Sequence, residues 1–473
     1  MRGPVRVVSD ASRGATFAPP AHVSFDLAPN FATKGTAVAR SPEELLRLKQ
    51  QYVLPCVKNY YERPMNLVKG AMQYLTDSTG KEYLDFFAGI LSVNSGHSNP
   101  EINAAVHAQV DKLQHVSTVY LIEPMLEMAE ELAKVTPGAL QKSFFCNSGT
   151  EAIDTALLTA KMFTKCEEVI ALRHSYHGRS HVAIGATGQS SWRLPVATMG
   201  NVHFTANAYC YRCPFNLTYP TCDVQCARDL EGVLQSSTSG RIAAFIAEPI
   251  QGVGGFITPP PEFFPIVFEI VKRYGGVTIA DEVQGGWGRT GTHMFSIQHW
   301  GVEPDMMVFA KGMANGYAIG AFIARPEIAD AYSGPNISTF GGNPITMVAA
   351  MANLNYIREH DLVGNAERMG RILFDGLAEL TAKHPLIGEV RGKGLMCGVE
   401  LVRDRRTKEP APAETIRVME LCKDDGVLVG RGGYFNNVLR LTPPLVVNAD
   451  DVRRALRTLD GALTAVEKTM VFA

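Results

Sequence analysis

Two residues of this chain carry charge at a point where an apolar run stops. Asp281 follows Val277 to Ala280, and Lys311 follows Met306 to Ala310. Both runs have the length and composition of buried strands. In an open α/β sheet the carboxyl ends of the strands form the ligand crevice, so an acid and an amine placed there face a ligand. A lysine in such a place can be desolvated, its pKa lowered and its free amine offered to a carbonyl. The aspartate suits a cation. A lone lysine after a strand is ordinarily a surface residue, so the other strand ends decide.

Three of them also carry polar groups. Asn147-Ser148-Gly149-Thr150-Glu151-Ala152 follows one strand and opens the helical run Ala152 to Phe163. A glycine-containing turn entering a helix offers free N–H groups and a favourable dipole to a phosphate, although Ser-Gly-Thr-Glu is also an ordinary helix cap. His174-Ser175-Tyr176-His177-Gly178 sets an aromatic ring where it could cover a flat heteroaromatic one. Its two histidines find no third metal ligand, and a structural turn is the plainer reading. Ala247-Glu248-Pro249-Ile250-Gln251-Gly252 ends a further strand. One cofactor needs an amine, a carboxylate and a phosphate cradle together. Pyridoxal phosphate bonds a lysine through its aldehyde and pairs its ring nitrogen with an acid.

The elements that must position these groups alternate in type. Strands are predicted at Ser143 to Cys146, Val169 to Leu172, Ala243 to Ala247, Val277 to Ala280, Met306 to Ala310 and Ala321 to Ala324. Helical spacers separate them, which implies an α/β fold with a mostly parallel sheet covered by helices. Ahead of them, Ser41-Pro42-Glu43-Glu44 reads as a capped helix start. Ala71 to Leu75 and Tyr83 to Phe87 read as a hairpin around Asp77-Ser78-Thr79-Gly80. Helices are predicted at Pro100 to Leu113, Pro124 to Val135 and Thr346 to Ile357. Beyond these, Glu389 to Leu401, Val427 to Arg431 and Val438 to Leu441 read as strands of a smaller α+β domain. The expected division is residues 1–90, contributing arm, helix and hairpin to the small domain; 91–345, the large cofactor-binding domain; and 346–473, the carboxy-terminal small domain.

Composition excludes several function classes. The 473 residues are 46% apolar and 19% charged, with a formal net charge of −2 and no basic patch, which speaks against nucleic acid as a partner. No apolar run reaches the about 18 residues that span a bilayer, so no membrane partner is expected. Arg2, Arg6 and Arg13 against Asp10 faintly resemble a transit segment, but prolines and glycines interrupt it, and with no secretory segment a cytoplasmic setting is expected. Cys210, Cys213, Cys222 and Cys226 have a spacing compatible with a zinc knuckle, while the aromatic residues between them suit an apolar loop.

Taken with Asp281-Glu282-Val283-Gln284, Gly288-Arg289-Thr290-Gly291, Ala310-Lys311-Gly312 and Thr339-Phe340-Gly341-Gly342-Asn343-Pro344, these motifs resemble the class III aminotransferases over roughly residues 45 to 465. That group is fold-type-I and pyridoxal-phosphate-dependent. Phe86-Phe87-Ala88-Gly89-Ile90, Ala247 to Gly252 and the cysteine insert are most similar to its alanine-glyoxylate and ω-amine:pyruvate members. The resemblance implies a homodimer, with a tetramer as an alternative, that moves an amino group from an amino donor to a small keto acid. Lys311 would hold the cofactor and act as base, Asp281 would keep the ring nitrogen protonated, and Ser148, Gly149 and Thr150 would bind phosphate with Thr339 from the partner chain. Tyr176 and Val283 would cover the ring faces, Gln284 would bond the ring hydroxyl, and His177 and Glu248 would complete the cofactor set. Arg440 resembles the arginine for a substrate carboxylate, with Leu91, Val119 and Tyr120 as pocket walls. Arg391 reads as a turn residue.

Two departures stand out. Gly285, Gly286 and Trp287 replace the group's Thr-Gly-Phe, and Val253 stands where ornithine-type members carry a gating glutamate. Substrate choice is therefore expected to rest on Arg440, Val253, Trp287 and the walls around them. A phospho-lyase of the same class, or a non-catalytic homologue that keeps the cofactor, are the competing readings.

Overall fold

The computed structural model describes residues 40–193 and 200–470; the arginines of the expected amino-terminal arm lie outside them. The first described helix, Pro42–Tyr52, has the reciprocal cap anticipated for it: Glu44 N–H donates to Ser41 Oγ, and Ser41 N–H donates to the Glu44 carboxylate. No residue of this helix is buried.

Seven strands form the sheet that carries the polar strand ends. Their order is Lys142–Cys146, Gly320–Ala324, Met306–Ala310, Val277–Asp281, Ala244–Ala247, Val169–Leu172 and Val202–Thr205. Gly320–Ala324 runs antiparallel to both its neighbours, and the remaining pairs are parallel. Five of these strands, Val169–Leu172, Ala244–Ala247, Val277–Asp281, Met306–Ala310 and Gly320–Ala324, are buried throughout, because helices such as Gly149–Thr164 cover the sheet. That burial is why they read as unbroken apolar runs. Val202–Thr205, at the edge, gives no such signal, since only Thr205 is buried.

A second sheet has the order Leu67–Ala71, Tyr74–Asp77, Glu82–Phe86, Val427–Gly432, Val438–Leu441, Met396–Asp404 and Ile387–Lys393, with Glu409–Pro410 beside Met396–Asp404. Glu82–Phe86 pairs in parallel with Val427–Gly432, so strands from near the two ends of the chain share one sheet. The early hairpin gains a third strand, Leu67–Ala71. The expected strand Glu389 to Leu401 is instead a hairpin, Ile387–Lys393 and Met396–Asp404. The chain reverses at Gly394, whose φ is +55° and where a Cβ would run into the Thr290 backbone.

Arg391 lies in the Ile387–Lys393 strand and not in a turn. Its Nε donates to Gly255 O at 2.8 Å and its Nη1 to Glu400 Oε2 at 2.7 Å, with Glu389 also bonded. Among the described residues no helix is long and apolar enough to cross a membrane.

The four insert cysteines line one small cavity together with Phe215, Leu217 and Pro260. Among the described residues no group of three His, Cys, Asp or Glu side chains has metal-ligand geometry. Cys226 is held in the Gln225–Ser237 helix while Cys210 is exposed on a short turn. The insert packs as an apolar loop and is pinned to the second sheet, where Arg212 Nε donates to Glu400 Oε1 at 2.6 Å.

Candidate active site

Asp281 ends its strand with its carboxylate fixed from two directions. Val283 N–H donates to Oδ1 at 3.1 Å, and His177 Nδ1 lies 2.7 Å from Oδ2. Both side chains are buried. One strand over, Lys311 follows Ala310 with φ +45°, a left-handed conformation that costs a side-chain-bearing residue about 1–2 kcal/mol and is kept where surrounding structure enforces it. Burial lowers the Lys311 pKa to about 8; the Arg440 guanidinium acts in the same direction, while Asp281 and Glu248 oppose it. The amine is thus far easier to deprotonate than an ordinary lysine.

These residues open onto one cavity with Gly149, Thr150, Tyr176, His177, Glu248, Val283 and Gln284. Glu248, wholly buried, accepts from Tyr176 N–H at 2.9 Å and Gly252 N–H at 2.8 Å, which fixes the loops after two strands against each other. Burial raises its pKa to about 7, with Asp281 adding to the rise and His177 and the two N–H groups opposing it.

At the phosphate-suited corner Ser148 caps the Gly149–Thr164 helix, its Oγ accepting from Glu151 N–H at 3.3 Å. The first amides of a helix have no carbonyl one turn earlier to bond. Gly178, with φ +137°, brings its backbone so near that a Cβ would stand 2.6 Å from Thr150 Oγ1. Arg179, beside it, lines the same cavity and donates its N–H to Thr150 Oγ1 at 3.3 Å. Sequence reading passed over Gly178, Arg179 and Ala310 as cavity residues; for Arg179 the signal was a cation directly after Tyr-His-Gly at a strand end.

Arg440 is brought in from the second sheet. Its Nη2 donates to Gln284 Oε1 at 2.6 Å, and the rings of Phe87 and Phe256 lie 5.5 Å and 4.7 Å from the guanidinium. Gly398 and Gly430 are its partners on the two neighbouring strands, and a Cβ at Gly430 would enter the Phe87 ring.

Other expected residues are placed elsewhere. Ser148 does not line the cavity within one chain; Thr339, expected to serve the partner's site, is exposed. Tyr120 and Val119 are 67% and 68% exposed and do not line the cavity within one chain. Leu91 is 1% exposed and packed in the core. Trp287 is also withdrawn from the site: with φ +64° it is fully buried against Phe295 and Phe309, at ring distances of 5.5 Å and 5.6 Å. Gly285 and Gly286 precede it because a Cβ at either would strike Ser296 Oγ or Glu282 O. The departure at Gly285-Gly286-Trp287 is therefore a change of core packing.

Comparison with known proteins agrees with this geometry. The family model for Aminotransferase class-III matches residues 57–463. The chain is 40% identical over 462 residues to Alanine--glyoxylate aminotransferase 2 homolog 2, mitochondrial, of Arabidopsis thaliana, covering 97% of this chain and 96% of that protein. A Bacillus anthracis aminotransferase superposes with a TM-score of 0.84 at 32% identity, covering 89% of this chain and 98% of that one. A phospholyase from Arthrobacter in complex with phosphoethanolamine does so with a TM-score of 0.82 at 31% identity, covering 89% and 99%. The cavity at the strand ends is thus the candidate active site of an enzyme, and the chain belongs to the class-III aminotransferases.

Proposed function

We propose that this aminotransferase uses pyridoxal 5'-phosphate to move an amino group from an amine or amino-acid donor to a small keto acid such as pyruvate or glyoxylate, in a ping-pong cycle. The observation that carries the reading is one cavity in which the buried Lys311 amine, with its lowered pKa, shares space with Asp281 and the start of the Gly149–Thr164 helix. That donor set fits the cofactor's aldehyde, ring nitrogen and phosphate. Bound there, pyridoxal phosphate supplies a carbonyl that condenses with amines and a ring that accepts electrons from the substrate carbon.

The chain's own residues do the rest. Lys311 Nζ would hold the cofactor and afterwards take the proton from the substrate α-carbon. Asp281, oriented by His177, would keep a proton on the ring nitrogen. Gly149, Thr150 and the capped helix start, with Thr339 of the partner subunit, would hold the phosphate. Tyr176 and Val283 would flank the ring, Gln284 would bond its hydroxyl, and Glu248 would fix the Tyr176 loop. Arg440 would take a substrate carboxylate as a planar, bidentate donor.

The homodimer is supported by exposed apolar side chains, Tyr120, Leu121, Ile337 and Phe340, on the segments near Thr339. Residues 1–90 and 346–473 are read as the small domain around the second sheet, and 91–345 as the large one. We read the compartment as cytoplasmic; the mitochondrial name of the Arabidopsis relative favours the organellar matrix as a second reading, and cell fractionation decides between them.

Keto product that appears only when a keto-acid acceptor is supplied supports aminotransfer. Product formed without acceptor supports a lyase instead, the second reading that the likeness to the phospholyase favours.

A further inference from the structure

Lys311 keeps φ +45° although it carries a side chain, and a conformation of that kind persists only where its surroundings hold it. The turn it begins runs Lys311–Met313, and the turn's own hydrogen bond is long, with Ala314 N–H donating to Lys311 O at 3.4 Å. The hold comes from other parts of the chain. Gly312 lies so near Asn94 that a Cβ would stand 2.6 Å from Asn94 Nδ2, and Asn94 is itself fixed by Arg289 Nη2, which donates to its Oδ1 at 2.6 Å. Asn315, with φ +48°, accepts from Ser95 N–H at 2.9 Å and donates to Gly96 O at 2.9 Å.

The contact nearest the lysine is made by Asn353, from the helix Pro344–Glu359. Its Nδ2 donates to Gly312 O at 2.8 Å and to Met313 O at 3.0 Å, so one amide uses both its hydrogens on the two carbonyls that follow Lys311. Ser95 Oγ donates to Asn353 Oδ1 at 2.7 Å, which keeps the nitrogen turned toward the loop. Ser95 and Asn353 are wholly buried, where a hydrogen bond left unmade costs most. Asn353 does not line the cavity, so it acts on the chemistry only through this turn.

We propose that Asn353 is a positioning residue for the reaction: its amide fixes the two carbonyls after Lys311 and so holds the lysine in the left-handed conformation from which its amine reaches the cofactor and the substrate carbon. Without that amide two buried carbonyls lose a donor, and Lys311 relaxes toward negative φ, where a side-chain-bearing residue is less strained. Such a change of φ swings the whole side chain. The amine then leaves the buried place that draws its pKa down. This inference rests on the reading of Lys311 as the residue that holds the cofactor.

The test compares wild type with Asn353→Leu, which keeps the volume and has no donor, with the smaller Asn353→Ala, and with Leu354→Ala. The last is a wholly buried core position one residue on, whose side chain makes no hydrogen bond to the turn. Apoenzyme is mixed with pyridoxal phosphate between about pH 7 and about pH 10 and the rise of the lysine-bound absorbance is timed, a range that brackets the lowered and ordinary lysine pKa. Thermal unfolding of each apoprotein, and kcat and KM of each holoenzyme, are measured beside it. The groups facing Lys311, namely Asp281, Glu248, His177, Arg179 and Arg440, are the same in every variant. In Asn353→Leu the midpoint of the uptake profile should rise by about one pH unit, and kcat should fall at least about tenfold with KM for the donor within about twofold. Asn353→Ala carries the same expectation and the test itself if Asn353→Leu does not fold. Leu354→Ala should melt below wild type and keep its midpoint. A folded Asn353 variant with a midpoint within about 0.3 pH unit of wild type overturns the positioning role. An equal rise in Leu354→Ala does so too, because it marks the shift as loosened packing. Lys311→Ala apoenzyme that gains the same absorbance overturns the reading of Lys311, and the positioning role with it.

Discussion

His177 Nδ1 lies 2.7 Å from Asp281 Oδ2, with the two side chains 0% and 4% exposed. The pair lines the cavity, and among the described residues Val283 N–H is the other hydrogen-bond donor to that carboxylate. Asp281 is therefore aimed by its neighbours before any ligand arrives.

Asp281→Asn keeps the size of the side chain and removes its charge. It should lower kcat by about 10²–10³, the scale for losing one preorganised charged group at a reacting centre. Replacing His177 by Phe, which removes only the aiming contact, should cost less. Steady-state kinetics with saturating cofactor checks both, and an Asp281→Asn enzyme within about threefold of wild type contradicts the role.

Lys311 is largely protonated below about pH 8 and free above it, since burial draws its pKa down to about 8. The rate at which apoenzyme takes up pyridoxal phosphate should rise with pH and level off above that value. The same shift acts on stability. Between about pH 8 and the ordinary lysine pKa near 10.4 the unfolded chain binds more protons at this position than the folded one, so this group makes the apoprotein more stable as pH rises through that window. Stopped-flow uptake across that range is the check, and a flat profile counts against it.

Trp287 is a stability residue and not a pocket wall. Trp287→Ala should destabilise by about 3–5 kcal/mol, through the cavity left between Phe295 and Phe309. Chemical denaturation measures it. A stable variant with altered donor preference would return Trp287 to the site.

Arg391 ties Glu389, Glu400 and the Gly255 carbonyl together in a buried place. Arg391→Ala leaves Glu400, itself unexposed, with Arg212 as its remaining cation, and should cost about 1.5–3 kcal/mol. Denaturation of this variant beside Glu400→Gln separates a lost pair from a disturbed fold: the double variant should be less unstable than the sum of the two.

The sheet was legible because its central strands are covered on both faces and so appear as bare apolar runs, and Asp281 and Lys311 stood out by ending them. Val202–Thr205 did not, being half-exposed at the edge. The Gly149–Thr164 helix start was readable from Ser-Gly-Thr-Glu, since capping is local chemistry. Gln284 and Arg440, in contrast, are 156 residues apart and meet only through the packing of two sheets, which no spacing reveals. Leu91 and Trp287 are both buried in the core, and no spacing reveals which apolar side chains turn inward and which face the cavity. The cysteine spacing reads the same for a knuckle and for an apolar loop, and the fold brings all four thiols to one small cavity.

The central claim is that the Lys311 amine holds the cofactor and moves the proton. Lys311→Ala, purified with pyridoxal phosphate, tests it most directly by visible absorbance and by keto-acid-dependent amino transfer measured on one sample. The account predicts that the absorbance of the lysine-bound cofactor and the turnover are lost together in a folded protein. Turnover that persists without Lys311 would contradict it.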